Sequence, residues 1–106
     1  MAYTGGTKAP CYRASLHPEV SNDLDDLTSN GFRKTIGKVV SLIAFDIDNC
    51  VSPSDADAFE GSHLLYVRKD GPVAGVFTVN FALATLVVLS LADDAGKAVQ
   101  LARSRV

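Results

Sequence analysis

Apolar and polar residues alternate near the start of the chain and then change to a helical period. Residues 11–16 alternate, which predicts a short strand whose buried face is formed by Tyr12, Ala14 and Leu16. The run His17-Pro18-Glu19 comes next and is typical of a helix start, because proline is tolerated in the first turn and an early acid suits the positive end of the helix dipole. The chain is therefore predicted to pass from a strand directly into a helix.

Two amphipathic helices joined by a tight turn are predicted after this start. In the first helix, Val20, Leu24 and Leu27 fall on one apolar stripe, and three acids are expected outside it: Asp23, Asp25 and Asp26. Asn30-Gly31 is a natural C-terminal stop. The second helix has a longer stripe, made of Phe32, Ile36, Val39, Val40, Ile43 and Ile47. Three cations are expected to face water on this helix, namely Arg33, Lys34 and Lys38.

The second half of the chain is predicted to form a meander of strands and a last helix. Residues 48–61 have no hydrophobic period and are expected to form an exposed loop. Strands are predicted over residues 63–69, 73–79 and 83–91, with Asp70-Gly71 as a hairpin turn. Asp93-Asp94 is predicted to cap a helix that runs to Val106.

The predicted order of elements is β-α-α-β-β-β-α. This order is typical of a two-layer α+β fold in which a helical hairpin packs on an antiparallel sheet. The length of 106 residues suits a single domain, predicted over residues 12–106 after a flexible N-terminal arm over residues 1–11.

The run from Gly71 to Ala92 has no charged side chain in 22 residues and is long enough to span a bilayer. Three features favour strands instead: the turn signal at Asp70-Gly71-Pro72, the many Val and Thr residues, and Asn80 in the middle of the run. The chain is therefore predicted to have no membrane segment.

Charge is distributed unevenly along the chain. The total is 10 basic and 12 acidic side chains, for a net charge of −2, which excludes a strongly basic nucleic-acid-binding domain. Residues 1–61 carry five basic and nine acidic side chains, whereas residues 62–106 carry five basic and three acidic ones. A surface for anions is therefore expected on the meander and the last helix.

The two cysteines, Cys11 and Cys50, are 39 residues apart and belong to no CxxC pair. With only two histidines in the chain, no metal site or cofactor is predicted. Reduced cysteines and a cytoplasmic location are the expectation, and a disulfide is the less favoured alternative.

The candidate chemistry lies around the first strand of the meander. His63 and Tyr66 are the candidates for proton transfer, and Arg68 and Lys69 could neutralise RNA phosphates, with Tyr66 stacking on a base. The alternative is that Arg68-Lys69 forms an ordinary polar hairpin tip. Paired acids are better explained as solvated faces and helix caps than as catalytic groups, namely Asp25-Asp26, Asp46/Asp48 and Asp93-Asp94.

Three stretches resemble the RelE/ParE toxin superfamily. The stretch from Tyr12 to Leu27 resembles the family's opening strand and "HPEV…DL…L" helix. The stretch from Leu64 to Leu89 is similar to its hairpin meander, and the stretch from Val99 to Arg105 is similar to the terminal helix of the HigB branch. The resemblance covers about residues 12–105, and its element order agrees with the one predicted above.

This resemblance implies a type II toxin held by a cognate antitoxin. The RelE and HigB branches cut mRNA on the ribosome, and the ParE branch inhibits DNA gyrase. The nuclease reaction needs cations around the scissile phosphate, and the candidates here are Arg68, Lys69, Lys97, Arg103 and Arg105. The chain departs from the family at Gly71-Pro72-Val73, where "Gly-Tyr-Arg" is common, and at Asp93-Asp94, where lysines are usual.

Two alternative functions are therefore expected. The first is a toxin that cleaves ribosome-associated mRNA, with Tyr66 or His63 moving protons. The second is a non-catalytic ParE-like gyrase inhibitor, or a protein-binding domain of the same fold that has lost its activity. A homodimer formed through an exposed edge strand is a further expectation.

Overall fold

The computed structural model describes residues 11–49, 57–59, 65–80 and 82–106. Almost all of the N-terminal arm and His63 lie outside this part of the chain. Its elements are β1 (Arg13–Leu16), α1 (Val20–Ser29), α2 (Arg33–Asn49), β2 (Asp57–Phe59), β3 (Leu65–Asp70), β4 (Val73–Asn80), β5 (Thr85–Ala92) and α3 (Ala95–Arg105). The α+β class and the predicted order are confirmed. The short strand β2 is an addition, and it falls inside the predicted loop over residues 48–61.

The strands form one sheet in the order β1-β5-β4-β3-β2. The meander is antiparallel as predicted, but β1 pairs with β5 in parallel, from Arg13 opposite Thr85 to Leu16 opposite Val88. The sheet is therefore mixed. The parallel pairing is possible because the long connection through the helices and the meander brings the chain back to β1 in the same direction.

Helices cover both faces of the sheet. On one face α1 and α2 pack against a core that includes Val39, Tyr66 and Phe77. On the other face α3 packs against a second core that includes Val67 and Leu89. The predicted two layers are therefore three, because α3 packs on the face of the sheet opposite to the predicted helical hairpin. The nearly continuous apolar character of β4 and β5 follows, since both of their faces are buried.

A bulge in β5 fastens α3 to the sheet. Val76 pairs with Ser90 and Phe77 pairs with Val88, so Leu89 is an extra residue in β5. The Leu89 side chain lies in the core under α3, and the Ser90 hydroxyl donates a hydrogen bond of 2.6 Å to the carbonyl of Ala98 in α3. Because of the bulge, two consecutive residues, Leu89 and Ser90, both contact α3.

The predicted helix ends are present. The backbone N–H of Glu19 donates to Nδ1 of His17 at 3.1 Å, and that of Lys97 donates to the carboxylate of Asp94 at 2.9 Å. Helix α1 ends at Ser29, and Gly31, which follows the C-cap residue Asn30, has a φ of +86°. The N–H groups of Gly31 and Phe32 donate to the carbonyls of Thr28 and Leu27, respectively. This is the hydrogen-bond pattern of a helix terminated by glycine.

The uncharged run from Gly71 to Ala92 contains β4, β5 and the turns beside them. In the part of the chain that the structure describes, no helix has the length and apolar character needed to cross a membrane.

The start of the described chain is joined to the end of α2. The N–H groups of Cys11 and Tyr12 both donate to the carbonyl of Ile47, at 2.9 and 3.4 Å. Cys11 is disulfide-bonded, so the expectation of a reduced thiol is wrong for this residue. The only other cysteine in the sequence, Cys50, lies outside the described residues.

Candidate functional site

Arg68, the first of the predicted phosphate contacts, forms an ion pair with Asp46 of α2. Its Nε donates to Oδ2 at 2.7 Å and its Nη2 donates to Oδ1 at 2.5 Å, in the two-pronged geometry that suits guanidinium and carboxylate. The side chains of Arg68 and Asp46 are 15% and 4% exposed. The charge of Arg68 is therefore balanced inside the protein, between β3 and α2.

Arg105, near the end of α3, is held in the same way by Asp23 of α1. Two guanidinium nitrogens of Arg105 donate to the carboxylate of Asp23 at 2.6 and 3.0 Å. This hydrogen bonding raises the pKa of Arg105 above its usual value, burial opposes the rise, and the charge of Asp23 adds to it. Arg105 therefore stays protonated at every pH at which the protein is handled.

The same ion pair completes the edge of β5. Strand β1 ends at Leu16, and the N–H of His17 still donates to the carbonyl of Val88. Beyond that point the carbonyl of Leu89 accepts from Arg105 at 2.8 Å, and the N–H of Leu91 donates to Asp23 at 3.0 Å. The ion pair thus forms hydrogen bonds with backbone groups of β5 that no neighbouring strand reaches and that would otherwise be left unpaired.

Tyr66, one of the two candidates for proton transfer, is buried in the core. It is 7% exposed and packs against Phe77, with the ring centres 5.8 Å apart. A tyrosine in this position contributes to the packing between the sheet and α2. Its ring is covered from solvent and so is not presented to a base on the surface.

The remaining predicted cations are exposed and lie elsewhere. Lys69, Lys97 and Arg103 are exposed, and the Nζ of Lys97 is 4.0 Å from the carboxylate of Asp93. Because side chains alternate along a strand, Lys69 points to the α3 face of the sheet, whereas Arg68 and Tyr66 point to the α2 face. The predicted site is therefore divided between two faces of the sheet.

The sequence patterns predicted solvated positions for the carboxylates of both ion pairs, and both are buried. Asp23 was expected outside the apolar stripe, but it is 7% exposed. It lies three residues after Val20 and four before Leu27, which is the spacing of the stripe itself. Asp46 continues the stripe of α2 three residues after Ile43 and is 3% exposed. Acids at stripe positions are the signal that could have identified both pairs.

An apolar cleft lies between β1, α1 and α2. Its volume is about 330 Å³, and its lining is formed by Ala14, Ser15, Leu16, Val20, Leu24, Val40, Ile43, Ala44, Ile47, Val88 and Leu91. Leu16 is 61% exposed and Val40 is 48% exposed. The predicted buried face of the first strand is wrong for Ala14 and Leu16, because all four residues of β1 are exposed, whereas Tyr12 just before it is half-buried against the core.

The outer edge of β1 lies beside this cleft. The N–H of Arg13 donates to the carbonyl of Ala84 and that of His17 donates to Val88, both in the direction of β5. Since alternate residues of a strand present their N–H and C=O groups to opposite edges, those of Ala14 and Leu16 point outward. In the part of the chain that the structure describes, β1 is the end of the sheet.

The described residues contain no group of three or more His, Cys, Asp or Glu side chains arranged to hold a metal ion. The chain matches no protein-family model and no curated protein. The chemistry of the exposed surfaces is therefore the basis for a functional proposal.

Proposed function

We propose that this chain is a protein-binding domain of RelE/ParE-like architecture that acts on a partner protein without cleaving RNA. The single observation that carries the proposal is the apolar cleft beside β1, the end strand of the sheet in the described part of the chain. The partner is an extended protein segment, which in a toxin–antitoxin pair is part of the antitoxin and in ParE-type inhibition is part of DNA gyrase.

Backbone and side-chain features of the site suit an extended segment. The outward N–H and C=O groups of Ala14 and Leu16 can pair with the backbone of an added strand. Alternate apolar side chains of that strand would enter the cleft next to Leu16 and Val40. Asp25 is exposed on α1 directly after Leu24 of the cleft lining, so a segment with a basic residue beside the apolar ones is favoured.

Nuclease chemistry is less compatible with the same structure. To bind a phosphate, Arg68 or Arg105 would first have to leave a carboxylate that is almost fully buried. Leaving such a carboxylate unpaired costs about 3–5 kcal/mol, which a single phosphate contact does not offset. Tyr66 would also have to leave the core.

The mRNA-cleaving toxin remains the competing proposal, and one observation favours it. Lys97 and Arg103 place two exposed cations on α3, in the stretch that resembles the HigB branch. These cations could attract RNA without disturbing either ion pair. The two proposals therefore predict different sensitive residues, namely Leu16 for protein binding and Lys97 with Arg103 for RNA cleavage.

Inducible expression in a bacterium that lacks any antitoxin for this chain separates the two proposals. Protein binding predicts growth arrest with intact mRNA, and Leu16→Asp should relieve the arrest because it places a charge at the cleft. Leu83→Asp is the matched control, since Leu83 is 64% exposed in the turn before β5 and lies outside the cleft. Purified DNA gyrase, and the product of any short reading frame beside this one, are the binding probes.

Two results would overturn the proposal. The first is a set of new mRNA ends that disappear when Lys97 and Arg103 are both changed to Ala while the Leu16→Asp protein still produces them. The second is normal growth together with no binding of the purified chain to either protein probe. Circular dichroism of each variant shows that lost activity does not come from unfolding.

A further inference from the structure

The outer face of α2 exposes large apolar side chains outside the cleft lining as well as at its rim. Val40, Leu42 and Phe45 are 48%, 37% and 56% exposed. Single exposed apolar residues are common, but Leu42 and Phe45 lie three positions apart on one side of the helix and form a patch, whereas Val40 lies on the cleft side. A patch of this kind on a helix surface is characteristic of an interface with another protein.

The charged residues at both ends of α2 have the sign that is unfavourable for its helix dipole. Its first turn holds Arg33 and Lys34 and no acid, and its last turn holds Asp48 and no base. Both ends therefore weaken the isolated helix, since anions stabilise a helix N-terminus and cations a C-terminus. Helix α3 has the favourable arrangement, with Asp94 at its N-cap and Arg103 in its last turn. An antiparallel neighbour with the same charges would reverse the effect on α2.

Small residues leave room for such a neighbour. Gly37 is exposed in the middle of α2, and a Cβ added there would meet nothing within 4 Å. A glycine inside a helix costs roughly 1 kcal/mol relative to alanine, and packing within this chain does not require it. One turn further along, the hydroxyl of Ser41 donates to the carbonyl of Gly37 at 2.9 Å. That hydroxyl is already satisfied and can be covered without loss.

We propose that α2 is the interface of a homodimer, in which two copies of the helix pack antiparallel around a twofold axis at Ser41. Lys34 and Asp48 each lie seven residues from Ser41, so each lysine faces Asp48 of the second copy. Gly37 and Phe45 each lie four residues from it, so the ring of one copy enters the space over the glycine of the other.

A second copy fits this face better than an unrelated partner does, because charge and size are complementary within the helix itself. The groove that receives the second copy has a volume of about 540 Å³ and is lined by Lys34, Gly37, Lys38, Ser41, Leu42 and Asp70. An isologous contact of this kind closes after two chains. The dimer does not depend on the proposed function, because this groove and the cleft share no lining residue.

The test is a charge exchange followed by analytical ultracentrifugation over a range of protein and salt concentrations. Lys34→Asp alone and Asp48→Lys alone each place like charges opposite each other twice, because the twofold axis repeats the pair. Each should raise the dimer dissociation constant roughly tenfold or more at low ionic strength. The double variant Lys34→Asp/Asp48→Lys should restore the dimer.

Loss of the dimer in the single variants would not come from unfolding. Each single change places a charge of favourable sign at an end of the α2 dipole and should raise the thermal stability of the monomer. Lys97→Asp is the matched control, since it makes the same change in the first turn of α3.

Gly37→Leu should prevent the dimer while strengthening the helix. A chain that is monomeric at high protein concentration overturns the proposal. So does a dimer that survives both single changes, which would indicate pairing through the edge of β1 instead.

Discussion

Ala84 has a φ of +51°, and it is the only residue other than glycine with a positive φ in the described part of the chain. It lies in the turn between β4 and β5 and is exposed. A left-handed conformation costs an L-residue roughly 1–2 kcal/mol, whereas glycine adopts it freely. Ala84→Gly should therefore raise the free energy of unfolding by about 0.5–1 kcal/mol, after the greater freedom of glycine in the unfolded chain is subtracted.

Urea denaturation measures this effect. The matched control is Ala82→Gly, in the same turn, because Ala82 is also an exposed alanine. That change should leave stability unaltered or lower it slightly. If Ala84→Gly lowers stability as much as the control does, the strain attributed to residue 84 is absent.

Gly75 is required for the close approach of α2 to the sheet. A Cβ at this position would lie 2.9 Å from Leu91, 3.0 Å from Val39 and 3.1 Å from Ile43. Val39 is β-branched and packed, so it cannot easily move away. Gly75→Ala should lower the free energy of unfolding by about 1–3 kcal/mol, the range found for overpacked cores.

Gly37→Ala provides the opposite case in the same helix–sheet layer. Nothing lies within 4 Å of its added Cβ, so the change should stabilise the chain by about 0.5–1 kcal/mol through helix propensity alone. Thermal melts of both variants, followed by circular dichroism, make the comparison. Equal effects of the two substitutions would contradict the packing role of Gly75.

At the scale of elements, the alternation and helical period were sufficient to place strands and helices in the correct order. The same patterns did not predict the environment of β1. Its alternating apolar residues predicted a buried face, but α1 and α2 leave that face exposed. The parallel pairing of β1 with β5 depends on contacts between residues far apart in the chain. A local pattern contains no information on such pairings, and it cannot show which helix covers which face.

The Asp23–Arg105 pair joins three elements, and its removal should be costly. Arg105→Ala leaves a buried carboxylate without its cation and the Leu89 carbonyl without its side-chain donor. Loss of about 3–5 kcal/mol of unfolding free energy is expected, as for other broken buried pairs. Lys97→Ala, an exposed change on the same helix, should alter stability by less than about 0.5 kcal/mol.

A double variant distinguishes the charge from the packing. Asp23→Leu/Arg105→Leu removes both charges together, and it should be much less destabilising than Arg105→Ala because no unpaired charge remains buried. Chemical denaturation of the variants gives the comparison. A double variant as unstable as the single one would show that the backbone contacts at Leu89 and Leu91, and not the ion pair, hold α3 in place.

At the scale of the whole molecule, the candidate site was the part least predictable from sequence. The charge distribution correctly indicated cations in the second half of the chain, but residue type does not reveal whether a cation is already paired. Arg68 and Asp46 are 22 residues apart, and Arg105 and Asp23 are 82 apart. Only the packing of α1 and α2 on the sheet brings these charges together, so two expected phosphate contacts are internal ion pairs.

The disulfide at Cys11 changes the expected redox state of the whole molecule. It lies directly before β1, where the backbone of Cys11 is already hydrogen-bonded to the end of α2. A cross-link at this point restricts the unfolded chain and holds β1 beside the cleft. Cys11→Ser should therefore lower the free energy of unfolding by about 2–4 kcal/mol under oxidising conditions.

Denaturation with and without a thiol reductant separates the cross-link from the side chain. In the presence of the reductant, the unchanged protein should lose the same stability and the Cys11→Ser variant should lose nothing further. Disulfides persist in oxidising environments and are rare where thiols are kept reduced. If reductant leaves the unchanged protein unaffected, the disulfide contributes no stability, and the docking of residues 11 and 12 on α2 is sufficient to hold β1.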